Sequence, residues 1–123
     1  MKIFLQPELR QAYAHAAAGG QALHLCDSRA FVTDRAPKCF RRSAQFAHLL
    51  DQDYQRLIET ARELGVRDIK PEHCGTHRQH VDLCGRPLER AIDLAHELQE
   101  AGKQAMLEFD LERMAGGIRH ESV

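Results

Sequence analysis

Two spacings of apolar residues alternate along this chain. Ile3-Phe4-Leu5 and Ala22-Leu23-His24-Leu25-Cys26 are short, nearly unbroken runs with the length of buried strands. Between them Pro7 suits a helix start, and Leu9, Ala12, Tyr13, Ala16 and Ala17 keep one helical face until Gly19-Gly20 stops it. Tyr54, Leu57, Ile58, Ala61 and Leu64 form the clearest helical stripe, with Asp51 as the expected cap and Gly65 as the left-handed stop. Residues 66–70 read as a weak strand before Pro71. From Pro87 the positions Leu88, Ala91, Ile92, Ala95, Leu98 and Ala101 predict a third amphipathic helix closed by Gly102. Residues 105–109 then continue as strand or helix, the preceding glycine favouring strand. Residues 111–115 read as a short closing helix, and 116–123 as a frayed tail. Residues 28–45 lack periodicity and read as a long loop.

Strands alternating with helices predict an α/β fold: a single small domain, residues 1–123, with a short, largely parallel sheet of about four strands flanked by helices. A chain of 123 residues can bury one core and needs no second domain. No apolar run approaches a membrane span, and the first residues do not read as a secretion signal, so the chain is expected in the cytoplasm without a membrane partner. In that compartment Cys26, Cys39, Cys74 and Cys84 are expected to stay reduced. With a formal net charge of -1, no global field draws the protein to nucleic acid, which is not an expected partner. Locally the picture differs: Arg29, Arg35, Lys38, Arg41 and Arg42 crowd the long loop against Asp34 alone, a basic patch able to grip a phosphate. A solvated loop is the plainer reading of the same charges.

The densest chemistry lies between His73 and Cys84, where His73, Cys74, His77, His80, Asp82 and Cys84 follow in twelve residues. On one helix His73, His77, His80 and Cys84 would share a face, yet His73 and Cys84 would stand ~16 Å apart along the axis. A single ion needs donors within about 2.0–2.3 Å, so at most two neighbours could share it, with other ligands from Cys26, Asp27, Cys39 or His48. Pro71, Gly75, Gly85 and Pro87 break the stretch, which is expected as a loop or broken helical turn. His73, His77 and Cys84 are the candidate ligands of a divalent ion, zinc or magnesium. The cysteine spacing of zinc ribbons and fingers is absent.

Asp27 after a strand, Phe46-Ala47-His48-Leu49, Leu64-Gly65, His80-Val81-Asp82-Leu83, Arg90-Ala91 and Ala101-Gly102 occur in an order that resembles a small bacterial family, domain of unknown function 4031. The likeness spans residues 23–115. This chain differs in Phe46 for the family's Trp, Val81 for its Tyr, Glu89 for a Lys, and an additional stretch at residues 1–21. The resemblance implies that Asp27, His48, His80, Asp82 and Arg90 meet in one site. It implies no reaction, because the family has none established.

The residues themselves point to two readings. The first is a hydrolase or transferase acting on a phosphate-containing small molecule or nucleotide. In it His80 is the general acid or base, since imidazole titrates near neutrality. Asp27 orients it or holds a divalent ion, His48 is the second acid/base, and Arg41, Arg42 and Arg90 bind substrate. Asp82 is expected to orient His80 if the chain turns there, and not if it is extended. The second reading is a noncatalytic zinc-binding or partner-binding module built on residues 73–84, whose ion would add folding free energy. A thiol redox role for Cys74 or Cys84 is weaker, because no Cys-x-x-Cys pair exists.

Overall fold

The computed structural model describes residues 1–26 and 45–121, with side chains up to Met114. Strand β1 (Lys2–Phe4) leads through a 3-10 turn (Gln6–Glu8) into helix α1 (Leu9–Ala17), followed by β2 (Gln21–Cys26). After the undescribed stretch come β3 (Phe46–Asp51), α2 (Tyr54–Glu63), β4 (His80–Leu83) and α3 (Gly85–Glu121). The four strands form one sheet in the order β1-β2-β3-β4. The fold is therefore α/β with four strands. Its sheet, however, is mixed and not largely parallel: β1 and β2 run parallel, whereas β2/β3 and β3/β4 are antiparallel. Helices lie in both the β1–β2 and the β3–β4 links, and a chain that passes through a helix can return in either direction, so strand–helix alternation does not by itself dictate parallel pairing.

Period-two alternation separates the two faces of the sheet. Leu23, Ala47, Leu49, Val81 and Leu83 point one way and pack with Leu57, Ala61 and Leu64 from α2 and its end, and with Leu88 and Ala91 from α3. Phe4, Ala22 and Leu50 point the other way and meet Ala12 and Ala16 of α1. Helix α1 is short, so the second face also carries a row of polar side chains.

Helix α2 starts at Asp53 and not at the expected Asp51. The Asp53 carboxylate accepts the Arg56 amide at 3.1 Å. Asp51 is instead fully buried at the end of β3, where it accepts from Arg56 Nε at 2.6 Å, Arg56 Nη2 at 2.7 Å and the Asp53 amide at 2.9 Å. Gly65, at φ 91°, ends the helix as expected, with the Val66 amide donating to the Ala61 carbonyl.

Two further expectations are corrected. Residues 66–70 form no strand: Val66 and Ile69 pack on the core without a ladder. Gly102 does not end α3, which continues as helix through residues 105–109, where the sequence favours strand over the helical alternative, and joins the helix expected at 111–115. Good helix formers on both sides of the glycine, among them Glu100, Ala101, Lys103 and Gln104, outweigh its cost of about 1 kcal/mol. No helix among the described residues is long and apolar enough to cross a membrane.

Candidate functional site

Register places the site. His24 stands opposite His48 in the β2/β3 ladder, and His48 stands opposite Asp82 in the β3/β4 ladder. Directly opposite residues project to the same face, so His24, His48 and Asp82 form one row across three strands. Residues two apart on a strand share a face as well, which adds Cys26 beside His24 and His80 beside Asp82. The expectation that extended chain would separate His80 from Asp82 is thereby overturned: residues 80–83 are strand, and the strand itself brings the pair together.

Hydrogen bonds fix the protons. His48 Nδ1 lies 2.7 Å from Asp82 Oδ1, and His80 Nε2 lies 3.4 Å from the same oxygen and 3.5 Å from Glu72 Oε2. On its other side His80 Nδ1 donates to the Arg78 carbonyl at 2.7 Å. His24 Nε2 donates to the Gln6 carbonyl at 3.0 Å, because a carbonyl can only accept. In the neutral ring this leaves Nδ1 of His24 as a lone pair, 3.4 Å from Cys26 Sγ. The rings crowd one another: His48 and His80 meet edge to face at 4.7 Å, and His24 and His48 lie nearly parallel at 5.9 Å.

Burial sets the electrostatics. His24 is buried, which disfavours its cation and lowers its pKa. His80 is equally enclosed, yet burial loses there: hydrogen bonds to Asp82 and the Arg78 carbonyl, with the charges of Asp82 and Glu72, raise its pKa. Burial would push Asp82 up, but hydrogen bonds from His48 and His80 hold its carboxyl far below the usual carboxylate range. The site thus keeps one carboxylate ionised between two imidazoles, one of them inclined to carry a proton.

Of the residues expected in the site, His48, His80 and Asp82 meet. Asp27, Arg41 and Arg42 lie outside the described residues, as does the rest of the basic loop. Arg90 is elsewhere: its guanidinium reaches the Leu64 carbonyl at 3.5 Å beside Gly65, against the end of α2 on the opposite face of the sheet. The ligand set His73, His77 and Cys84 is not assembled. The His73 ring approaches His80 at 5.7 Å, the His77 ring meets Tyr13, and Cys84 is disulfide-bonded, which also corrects the expectation of four reduced thiols. A sulfur committed to a disulfide offers no thiolate to an ion. Donor atoms do converge in two other groups among the described residues, His24 with Cys26 and His48, and His48 with His80 and Asp82, each within 4.8 Å.

His24 is the residue that sequence reasoning missed. A signal is present in the sequence, since His24-x-Cys26 in a strand must share a face, but within an otherwise apolar run the pair does not stand out. Also missed was a cavity of about 540 Å³ along the outer edge of β4, lined by Asp82, Val81, Leu83, Glu72, Arg67 and Lys70 among others. Glu72 and His80 exchange backbone hydrogen bonds across this edge, so the loop carrying the glutamate is tied to the site. Comparison with protein-family models, curated proteins and solved structures returns no match for this chain.

Proposed function

We propose that the protein is a hydrolase or transferase acting on a small phosphate-containing molecule or nucleotide, with His48, Asp82 and His80 as its proton-handling unit. One observation carries this reading: a single carboxylate, Asp82, serves two imidazoles at 2.7 and 3.4 Å. Asp82 holds Nδ1–H of His48, so the other nitrogen of that ring draws a proton from an attacking hydroxyl or water. His80, inclined to be protonated, gives a proton to the leaving group and offers positive charge to an anion. The adjoining cavity has the volume of a small-molecule site, and Arg67 on its wall is the cation offered to an anionic substrate, Lys70 being paired with Asp68 at 3.1 Å. Kinship with domain of unknown function 4031 belongs to the same proposal, resting on the order of the short motifs that include His48, His80 and Asp82.

The test follows thermal stability and phosphate release with a panel of nucleotides and phosphate esters. The expected result is stabilisation or turnover by at least one compound in the wild type, lost in His80→Ala and Asp82→Ala variants that retain the fold. A response equal in wild type and variants, or none with any phosphate compound, contradicts the reading.

A further inference from the structure

We infer that His24, Cys26 and His48 form a binding site for a transition-metal ion of the zinc type, with Asp82 as the carboxylate that orients its histidine. The three donor atoms lie within 4.8 Å of one another, and the His24 Nδ1 to Cys26 Sγ distance is 3.4 Å. A tetrahedral ion with bonds of about 2.0–2.3 Å holds its donors roughly 3.3–3.8 Å apart, so two of the three already stand at that spacing. The third needs a small adjustment. The rings of His24 and His48 are nearly parallel, at 4°, and a lone pair lies in its ring plane, so His48 must turn to aim at a common point. It is the ring with room to do so: His24 is 3% exposed, while the His48 side chain is 27% exposed.

What distinguishes this group from a chance cluster is the opposite side of each ring. Histidines that bind ions characteristically donate the other ring N–H to a carbonyl or a carboxylate, which fixes the tautomer and makes the ligating nitrogen more basic. Both rings do so here. His24 donates Nε2–H to the Gln6 carbonyl at 3.0 Å, leaving Nδ1 to coordinate, and His48 donates Nδ1–H to Asp82 at 2.7 Å, leaving Nε2. Cys26 is a thiol outside any disulfide, and it would bind as the thiolate. Two imidazoles and a sulfur select zinc, cobalt(II) or a similar borderline ion and disfavour magnesium, which takes oxygen ligands. Three protein ligands leave a fourth position for water.

This site deepens the acid–base reading in one respect and rests on it only there. An ion held by His48 Nε2 would occupy the nitrogen assigned above as the base and would replace it, lowering the pKa of a bound water to near neutrality, with His80 still the proton donor. Ion binding itself is read without any reaction.

The experiment titrates Zn²⁺, and separately Co²⁺, into tag-free protein stripped with chelator and handled without oxygen or added reductant, so that the Cys84 disulfide stays closed while Cys26 stays a thiol. A chromophoric chelator competes for the zinc, and the cobalt spectrum reports the ligands. The expected result is one ion per chain and a sulfur-to-cobalt charge-transfer band in the wild type, the band vanishing in Cys26→Ser. His24→Ala and His48→Ala should lower affinity by at least tenfold, and Asp82→Asn by about 10–100-fold. Cys74→Ser and His77→Ala should change nothing. Absence of the band in wild type overturns the proposal whether or not the variants fold. So does a band that survives Cys26→Ser or disappears in Cys74→Ser. A phosphate-ester response that persists in chelator-treated protein while zinc fails to bind would sink this inference and leave the acid–base reading standing.

Discussion

At Asp82 two effects oppose each other. The carboxylate is half-buried, which favours its neutral form, and it receives hydrogen bonds from two histidines, which favour its charge; the hydrogen bonds win. The stability that follows has a pH window. A carboxyl lowered on folding contributes stability fully present above its unfolded pKa, about 3.9, and loses it as pH falls through the folded value. An imidazole raised on folding, His80, contributes stability fully present below about 6.5 and loses it as pH rises through its folded value. In metal-free protein, Asp82→Asn should therefore cost most between roughly pH 4 and 6.5, about 1–3 kcal/mol, with the difference shrinking on either side. Urea unfolding of both proteins across that range checks it, and a cost independent of pH would show that the carboxylate charge is not engaged. Asp51 offers a contrast on the opposite face. It accepts four hydrogen bonds, two of them from Arg56, so Asp51→Ala should lose about 2–4 kcal/mol by the same measurement.

Among the elements, α1 and α2 were legible because their apolar residues recur at helical spacing and Gly19 and Gly65 stop them, both with positive φ. Strands β3 and β4 were not, although Ala47-His48-Leu49 and His80-Val81-Asp82-Leu83 alternate with period two. Their polar positions carry the site's chemistry, so these stretches read as motif and loop when they are half-apolar strands. The polar side chains share the face on which α1 packs, and His24, Cys26 and His80 are buried there, which no local pattern discloses. Helix α3 misled in the opposite way, since Gly102 stands where a stop belongs by sequence alone. Among its residues with described side chains, the far half makes exposed pairs such as Lys103–Glu100. Residues 99–114 are all exposed, so a chain ending at residue 100 should match the full chain in global stability within about 0.5 kcal/mol by urea unfolding. Gly65→Ala should cost about 1–2 kcal/mol in the same assay, because its φ is 91° and an added Cβ would stand 2.9 Å from Arg90 Nη1.

Across the whole molecule, the sheet divides labour between its faces. The side under α2 and α3 buries leucines and alanines and supplies the core, while the side under α1 buries alanines near one end and presents His24, Cys26, His48, His80 and Asp82 beyond it. A rigid sheet lets three strands hold imidazoles and a carboxylate in register. The central claim is that Asp82 sits between two histidines and sets their protons. Long-range ¹H–¹⁵N NMR of the eight imidazoles across a pH titration of metal-free protein tests it most directly. The account predicts that His80 titrates above the ordinary imidazole value and His24 below it, that neutral His48 carries its proton on Nδ1, and that Asp82→Asn lowers the His80 value. Eight histidines titrating together near 6.5, indifferent to Asp82→Asn, would contradict it.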